Sequence, residues 1–183
     1  MKNVKEDILR ITLEEIALKG SNGVRLSNIS HKVGIQPPSI YAFFNSKEEL
    51  INESILWGES QVKCNDFKIN IALDIKEVLL SLFNHYIKEF SNGINKSYFI
   101  VLSKECYNSK EIYKAYQNLL YSIESQINFL LLEKTQDIEN EKIMALSNML
   151  SYAFTNIMQI ALCESKESAM WEAEDLITSC LYF

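Results

Sequence analysis

Only five glycines and two prolines punctuate the 183 residues of the chain. Sandwiches and barrels need turn residues at short, regular intervals, so a chain this poor in the two strongest breakers is not built from many short strands. Long helices with few interruptions are expected, and the fold class is all-α. An apolar share of 48% with 23% charged residues is that of a globular chain able to bury a core.

Apolar periodicity locates the helices. From Asn3 to Lys19, Ile8, Leu9, Thr12, Leu13, Ile16 and Ala17 form one stripe with charges opposite. Ser21-Asn22-Gly23 closes that helix. Leu26, Ile29 and Val33 then mark a short helix ended by Gly34, and another runs from Pro37 to Phe44, so a helix-turn-helix occupies about residues 26–45. Ser46-Lys47-Glu48-Glu49 is a capping box that opens the next helix, which runs through Leu50, Ile51, Ser54, Ile55 and Trp57 toward Cys64. Periodicity fades around Asn65–Asn70, which divides the chain into an N-terminal three-helix module, residues 1–62, and a larger helical body, residues 63–183. In the body, helices are expected over roughly 73–91, 96–107, 109–134, 138–163 and 167–181. Tyr113, Tyr116, Leu120, Ile123, Ile127 and Leu130 form an apolar seam on the third of these.

Charge separates the same two regions. The chain carries a net −6, which argues against a protein that coats nucleic acid non-specifically, yet residues 1–47 hold seven Lys and Arg against four acids. The segment Ile143–Cys163 has no charged residue at all. It is long enough to span a bilayer, but Ser147, Ser151, Thr155 and Gln159 recur at every fourth position, and such a polar stripe belongs to a helix buried in protein. Cys64, Cys106, Cys163 and Cys180 are far apart, which suggests neither a zinc site nor a disulfide framework and fits buried free thiols in a reducing cytoplasm. No apolar segment follows the charged residues near Met1, so no signal peptide is expected and the protein should stay in the cytoplasm.

The segment from Gly34 to Leu50 carries the chemistry. Pro37 suits the first position of a helix, so that helix begins rigidly. From there Ile40 and Phe44 share a face that can pack on Ile29, Val33 and the first helix, which turns Ser39, Tyr41 and Ala42 outward. Hydroxyls of Ser and Tyr can bond phosphate oxygens, and a small Ala can approach a thymine methyl. Lys47 stands in the first turn of its helix, an unfavourable end for a cation unless an anion joins it, and a phosphate is the natural anion there.

This run resembles the DNA-binding segment of the TetR family of transcriptional regulators. The matching elements are the N-terminal stripe, Gly20 or Gly23, Ile29, Gly34, Tyr41 with Phe44, and Ser46-Lys47-Glu48-Glu49-Leu50. Where the family usually caps its second helix with Ser or Thr, this chain has Val24-Arg25, with Arg25 or Ser27 as substitutes for that hydroxyl. Where the family often has Ser or Thr before the recognition helix, it has Gln36, which can bond a base edge. The resemblance implies that Tyr41 and Lys47 contact phosphates while Gln36, Pro37, Ser39 and Ala42 line the major groove.

For the body, the resemblance implies an effector-binding and dimerisation domain. Phe83, Tyr86, Phe90, Phe99, Tyr113 and Tyr116 are the candidate pocket residues, suited to a partly apolar or aromatic effector. Met149, Tyr152, Phe154, Ile157, Ile160 and Ile177 are the candidate homodimer contacts, because a nearly charge-free helix needs more partners than one small domain supplies. The expectation is a ligand-responsive repressor on a palindromic double-stranded DNA operator, with no cofactor and no metal. Two alternatives stand beside it: a helical ligand-binding or interaction protein that does not use its module on DNA, and a helical enzyme. Nothing in the sequence supports catalysis: there is no glycine-rich phosphate loop, no H-E-x-x-H and no Glu-x-x-His pair.

Overall fold

A computed structural model describes residues 3–62, 67–68, 72–135 and 139–181. The described residues form α-helices α1 (Val4–Gly23), α2 (Leu26–Val33), α3 (Lys47–Gln61), α4 (Ile75–Phe90), α5 (Gly93–Glu105), α6 (Lys110–Lys134), α7 (Asn140–Cys163) and α8 (Lys166–Leu181), with a 3-10 helix at Pro37–Ala42 between α2 and α3. The chain is all-α, as its scarcity of breakers demands. Most expected helices are found within a few residues of their predicted bounds. Cys64, most of the boundary at 65–70 and the residues Gln136 and Asp137 lie outside the described residues.

Two compact units emerge. The first comprises Met1–Lys63 and Asn92–Gln117, and the second Cys64–Ser91 and Asn118–Phe183. Besides the N-terminal helices, the first unit takes in α5 and the start of α6. The reason is visible at Gly58 of α3. A Cβ there would come within 2.8 Å of the Tyr98 ring of α5 and 2.9 Å of Leu13 of α1, so the missing side chain lets three helices meet. Tyr98, Phe99, Val101 and Leu102 are accordingly buried.

In the second unit, α4 packs on α7 and α8, and those two helices pack on each other. Asp74 caps α4 in a full capping box with Glu77. On α7 the buried polar stripe is real: the hydroxyls of Ser147, Ser151 and Thr155 donate to the carbonyls of Ile143, Asn148 and Tyr152 in their own helix at 2.8, 2.8 and 2.7 Å. Each hydroxyl is thus satisfied inside an apolar setting by a carbonyl of its own helix. Gln159 departs from the stripe and is exposed. Among the described residues, no helix is long and apolar enough to cross a membrane.

Candidate nucleic-acid interface

The helix-turn-helix is fixed from below. Gly34 ends α2 with φ of 81°, a left-handed conformation suited to glycine, and Gly34 and Ile35 both donate their N–H groups to the Ser30 carbonyl at 2.9 Å. This turn delivers the chain to Gln36 and Pro37. The expected helix from 37 to 44 is a 3-10 helix over Pro37–Ala42, because two consecutive prolines remove two backbone donors and tight i to i+3 bonds, such as Ser39 N–H to Gln36 carbonyl at 2.9 Å, suffice for one short turn. Ile40 and Phe44 are about 1% exposed, with fully buried Ile29 in the same module core, and Lys5 lies over the Phe44 ring at 5.2 Å.

With those two side chains buried, Gln36, Pro37, Pro38, Ser39, Tyr41 and Ala42 are all exposed. Tyr41 stands 57% accessible, its ring and hydroxyl open to solvent. Arg25 and Ser27, at the start of α2, are exposed as well. Arg25 occupies the N-cap position and makes no side-chain capping bond, as the replacement of a Ser or Thr there implies. Lys47 is half-buried in the first turn of α3, which Ser46 caps through the Glu49 N–H at 3.0 Å; the Glu49 carboxylate reaches back to the Asn45 N–H at 2.6 Å, one residue earlier than a standard box.

A side chain that sequence reasoning missed braces this surface. Glu15 of α1 is only 1% exposed, and its carboxylate accepts from Lys19 at 2.6 Å and from Lys32 of α2 at 2.8 Å. These two bonds hold its pKa down to about 2, against the opposing effect of burial. The Lys19 pairing was legible as an i, i+4 spacing. The bridge from α1 to α2 was not, since it joins residues 17 positions apart.

Residues 8–53 match the family model of bacterial regulatory proteins of the tetR family. The module is similar to that family over these residues. The fold of the whole chain agrees: a TetR transcriptional regulator from Legionella pneumophila is 21% identical with a TM-score of 0.72, covering 98% of this chain and 97% of that one. A transcriptional regulator from a Rhodococcus species gives 0.73 at 10% identity over 97% and 96% of the two chains. A tetR-family regulator from Streptomyces coelicolor gives 0.74 at 12% identity, over 98% and 79%. Comparison with curated protein sequences finds no match. The chain therefore has the fold of TetR-family transcriptional regulators, with that family's helix-turn-helix at its N-terminus.

The body residues singled out from sequence distribute differently from the expectation. Of the six pocket candidates, Phe83, Tyr86 and Phe90 belong to the second unit, whereas Phe99, Tyr113 and Tyr116 belong to the first. Tyr113 is half exposed, because α6 presents Ile112, Ala115 and Leu119 inward over that stretch. Of the dimer candidates, Phe154, Ile157 and Ile177 are buried within their own unit. Met149 and Tyr152, by contrast, are 55% and 49% exposed, and Ile160 is half-buried. The cysteines also divide: Cys106 is buried, Cys180 is intermediate and Cys163 is exposed.

Proposed function

We propose that the protein is a sequence-specific DNA-binding regulator, a repressor that acts as a homodimer and leaves a palindromic operator when a small effector binds. One observation carries this reading: the exposed face of Gln36, Pro37, Ser39, Tyr41 and Ala42 on a short rigid helix whose other face is locked by Ile40 and Phe44. Gln36, Ser39 and Ala42 read base edges and methyl groups in the major groove, with Pro37 fixing the backbone against it. The Tyr41 hydroxyl and the Lys47 ammonium bind phosphates, Lys47 together with the free N–H groups of α3. Arg25 and Ser27 add contacts from the start of α2.

The homodimer forms through α7 and α8. On α7, Ala145, Asn148, Met149, Tyr152, Asn156, Gln159 and Cys163 are exposed, none of them charged, and Trp171 of α8 is 67% exposed. A neutral stripe of this length, with three large apolar side chains in it and beside it, suits an isologous two-fold contact. Two recognition helices held ~34–36 Å apart enter successive major grooves. A ligand that favours another spacing weakens operator binding by shifting the population, without touching DNA.

Fluorescence anisotropy on a selected duplex, run across a salt series, tests the contacts. Tyr41→Phe and Lys47→Ala should each lower affinity, and Lys47→Ala should flatten the log-affinity against log-salt slope by about 1, the signature of a lost phosphate contact. Unchanged affinity in both variants contradicts the assignment.

A further inference from the structure

The aromatic residues inside the second unit pack on one another. Phe83 and Tyr86 of α4 meet the Phe154 ring of α7 edge-on at 5.0 and 5.1 Å, and Tyr86 stacks on Phe90 at 6.2 Å. All four are at most 1% exposed, so they fill the core. Room exists elsewhere in the unit. A groove of about 530 Å³ lies between Phe67 and one face of α6, where Tyr121, Ser122, Ser125, Gln126 and Phe129 line it at helical spacing. That volume falls within the ~300–1,000 Å³ of small-molecule sites.

Two features define what fits. Among the described residues, none that lines the groove carries a charge, and three hydroxyls and one amide share it with the aromatic rings of Phe67, Tyr121 and Phe129. A charged ligand would give up hydration there with no ionic partner in return. Beyond Phe67, at 5.6 Å between ring centroids, lies His85, whose Nε2 is buried and has no hydrogen-bond partner among the described residues. Leaving such an atom unpaired is costly, and a polar group brought in past Phe67 relieves that cost.

Resting on the regulator reading above, we propose that the groove between Phe67 and α6 is the effector site, and that its ligand is an uncharged aromatic molecule carrying a hydrogen-bonding group. The rings of Phe67, Tyr121 and Phe129 sandwich the aromatic body. Ser122, Ser125 and Gln126 orient it, and its polar group lies toward Phe67, whose ring packs on that of His85. Helix α6 supplies residues to both compact units, so a ligand held on residues 121–130 acts on a helix whose first turns belong with the DNA-binding module.

The test uses the full chain without DNA and two dyes that differ in charge, neutral N-phenyl-1-naphthylamine and anionic 8-anilinonaphthalene-1-sulfonate. The neutral dye should bind saturably and the sulfonate at least about tenfold more weakly. Ser125→Arg, at an exposed position that tolerates the change, and Phe129→Ala, at a half-exposed one, should each weaken the neutral dye by about tenfold or more. The chain has only two histidines, His31 and His85, so ring resonances in a histidine-selective NMR spectrum should move for His85 alone. Equal binding of the two dyes, indifference to Ser125→Arg, or a bound dye that leaves affinity for a selected duplex unchanged overturns the proposal. Failure in the DNA-free titration overturns the groove alone; failure to select any duplex overturns the regulator reading and leaves the titration interpretable.

Discussion

The outward faces of the recognition segment and of α7 are both exposed, and they differ in kind. Between Arg25 and Lys47 the surface is polar, cationic and short, mounted on a 3-10 helix that two buried side chains hold rigid. Along α7 from Ala145 to Cys163 it is neutral and long, with Met149 and Tyr152 standing out. A polyanion calls for the first kind of surface, and a second copy of the same chain for the second. Backbone precision matters most where bases are read, and matched apolar area matters most where copies meet.

Phe44→Ala is expected to have the largest effect. It removes a fully buried ring beneath the recognition helix and should cost ~3–5 kcal/mol, read by urea unfolding, with DNA binding lost and dye binding at α6 retained if the second unit keeps its fold. Tyr152→Glu attacks the other face. It is exposed, so folding should survive, while two carboxylates brought to a two-fold contact should weaken the dimer by ~2–4 kcal/mol, visible as monomer in sedimentation at micromolar concentration.

A smaller effect is expected at Glu15, where two variants separate charge from packing. Glu15→Gln should cost ~1–3 kcal/mol, because the two lysines it leaves are half exposed and regain water. Glu15→Leu should come close to the parent stability, since a buried apolar side chain can replace a buried ion pair. The acid limb distinguishes them further. A carboxyl held near pH 2 in the folded chain contributes its full stability above its ordinary value of 4.5 and loses it as pH falls toward 2. Both variants should flatten that limb of the stability profile. The smallest change sharpens the recognition face alone: Tyr41→Phe deletes one hydroxyl and should cost about 1 kcal/mol of operator affinity with no effect on unfolding.

Much of this was legible beforehand because helices announce themselves by period and the module by its ordered elements. Ile40 and Phe44 could be assigned inward from spacing alone, with Tyr41 and Ala42 outward. The rotation of the body helices could not. Ser147, Ser151 and Thr155 face the core because each hydroxyl is satisfied by its own helix, which frees Met149 and Tyr152 for the surface and carries Phe154 and Ile157 inward. Tyr113 shares a helical pattern with the buried Leu120, Ile123 and Ile127, and only tertiary packing leaves it half exposed. Glu15 is the clearest case: a carboxylate on an amphipathic helix reads as solvated until Lys32 arrives from α2.

The central claim is that two copies of the recognition segment read one duplex. Selection of bound duplexes from a random pool by the full-length protein at low salt tests it most directly. Enrichment of an inverted repeat is expected, with half-site centres about 10 base pairs, or a multiple of one turn, apart, and with loss of that enrichment in Lys47→Ala. Enrichment of nothing, or of a sequence without two-fold symmetry, would contradict it.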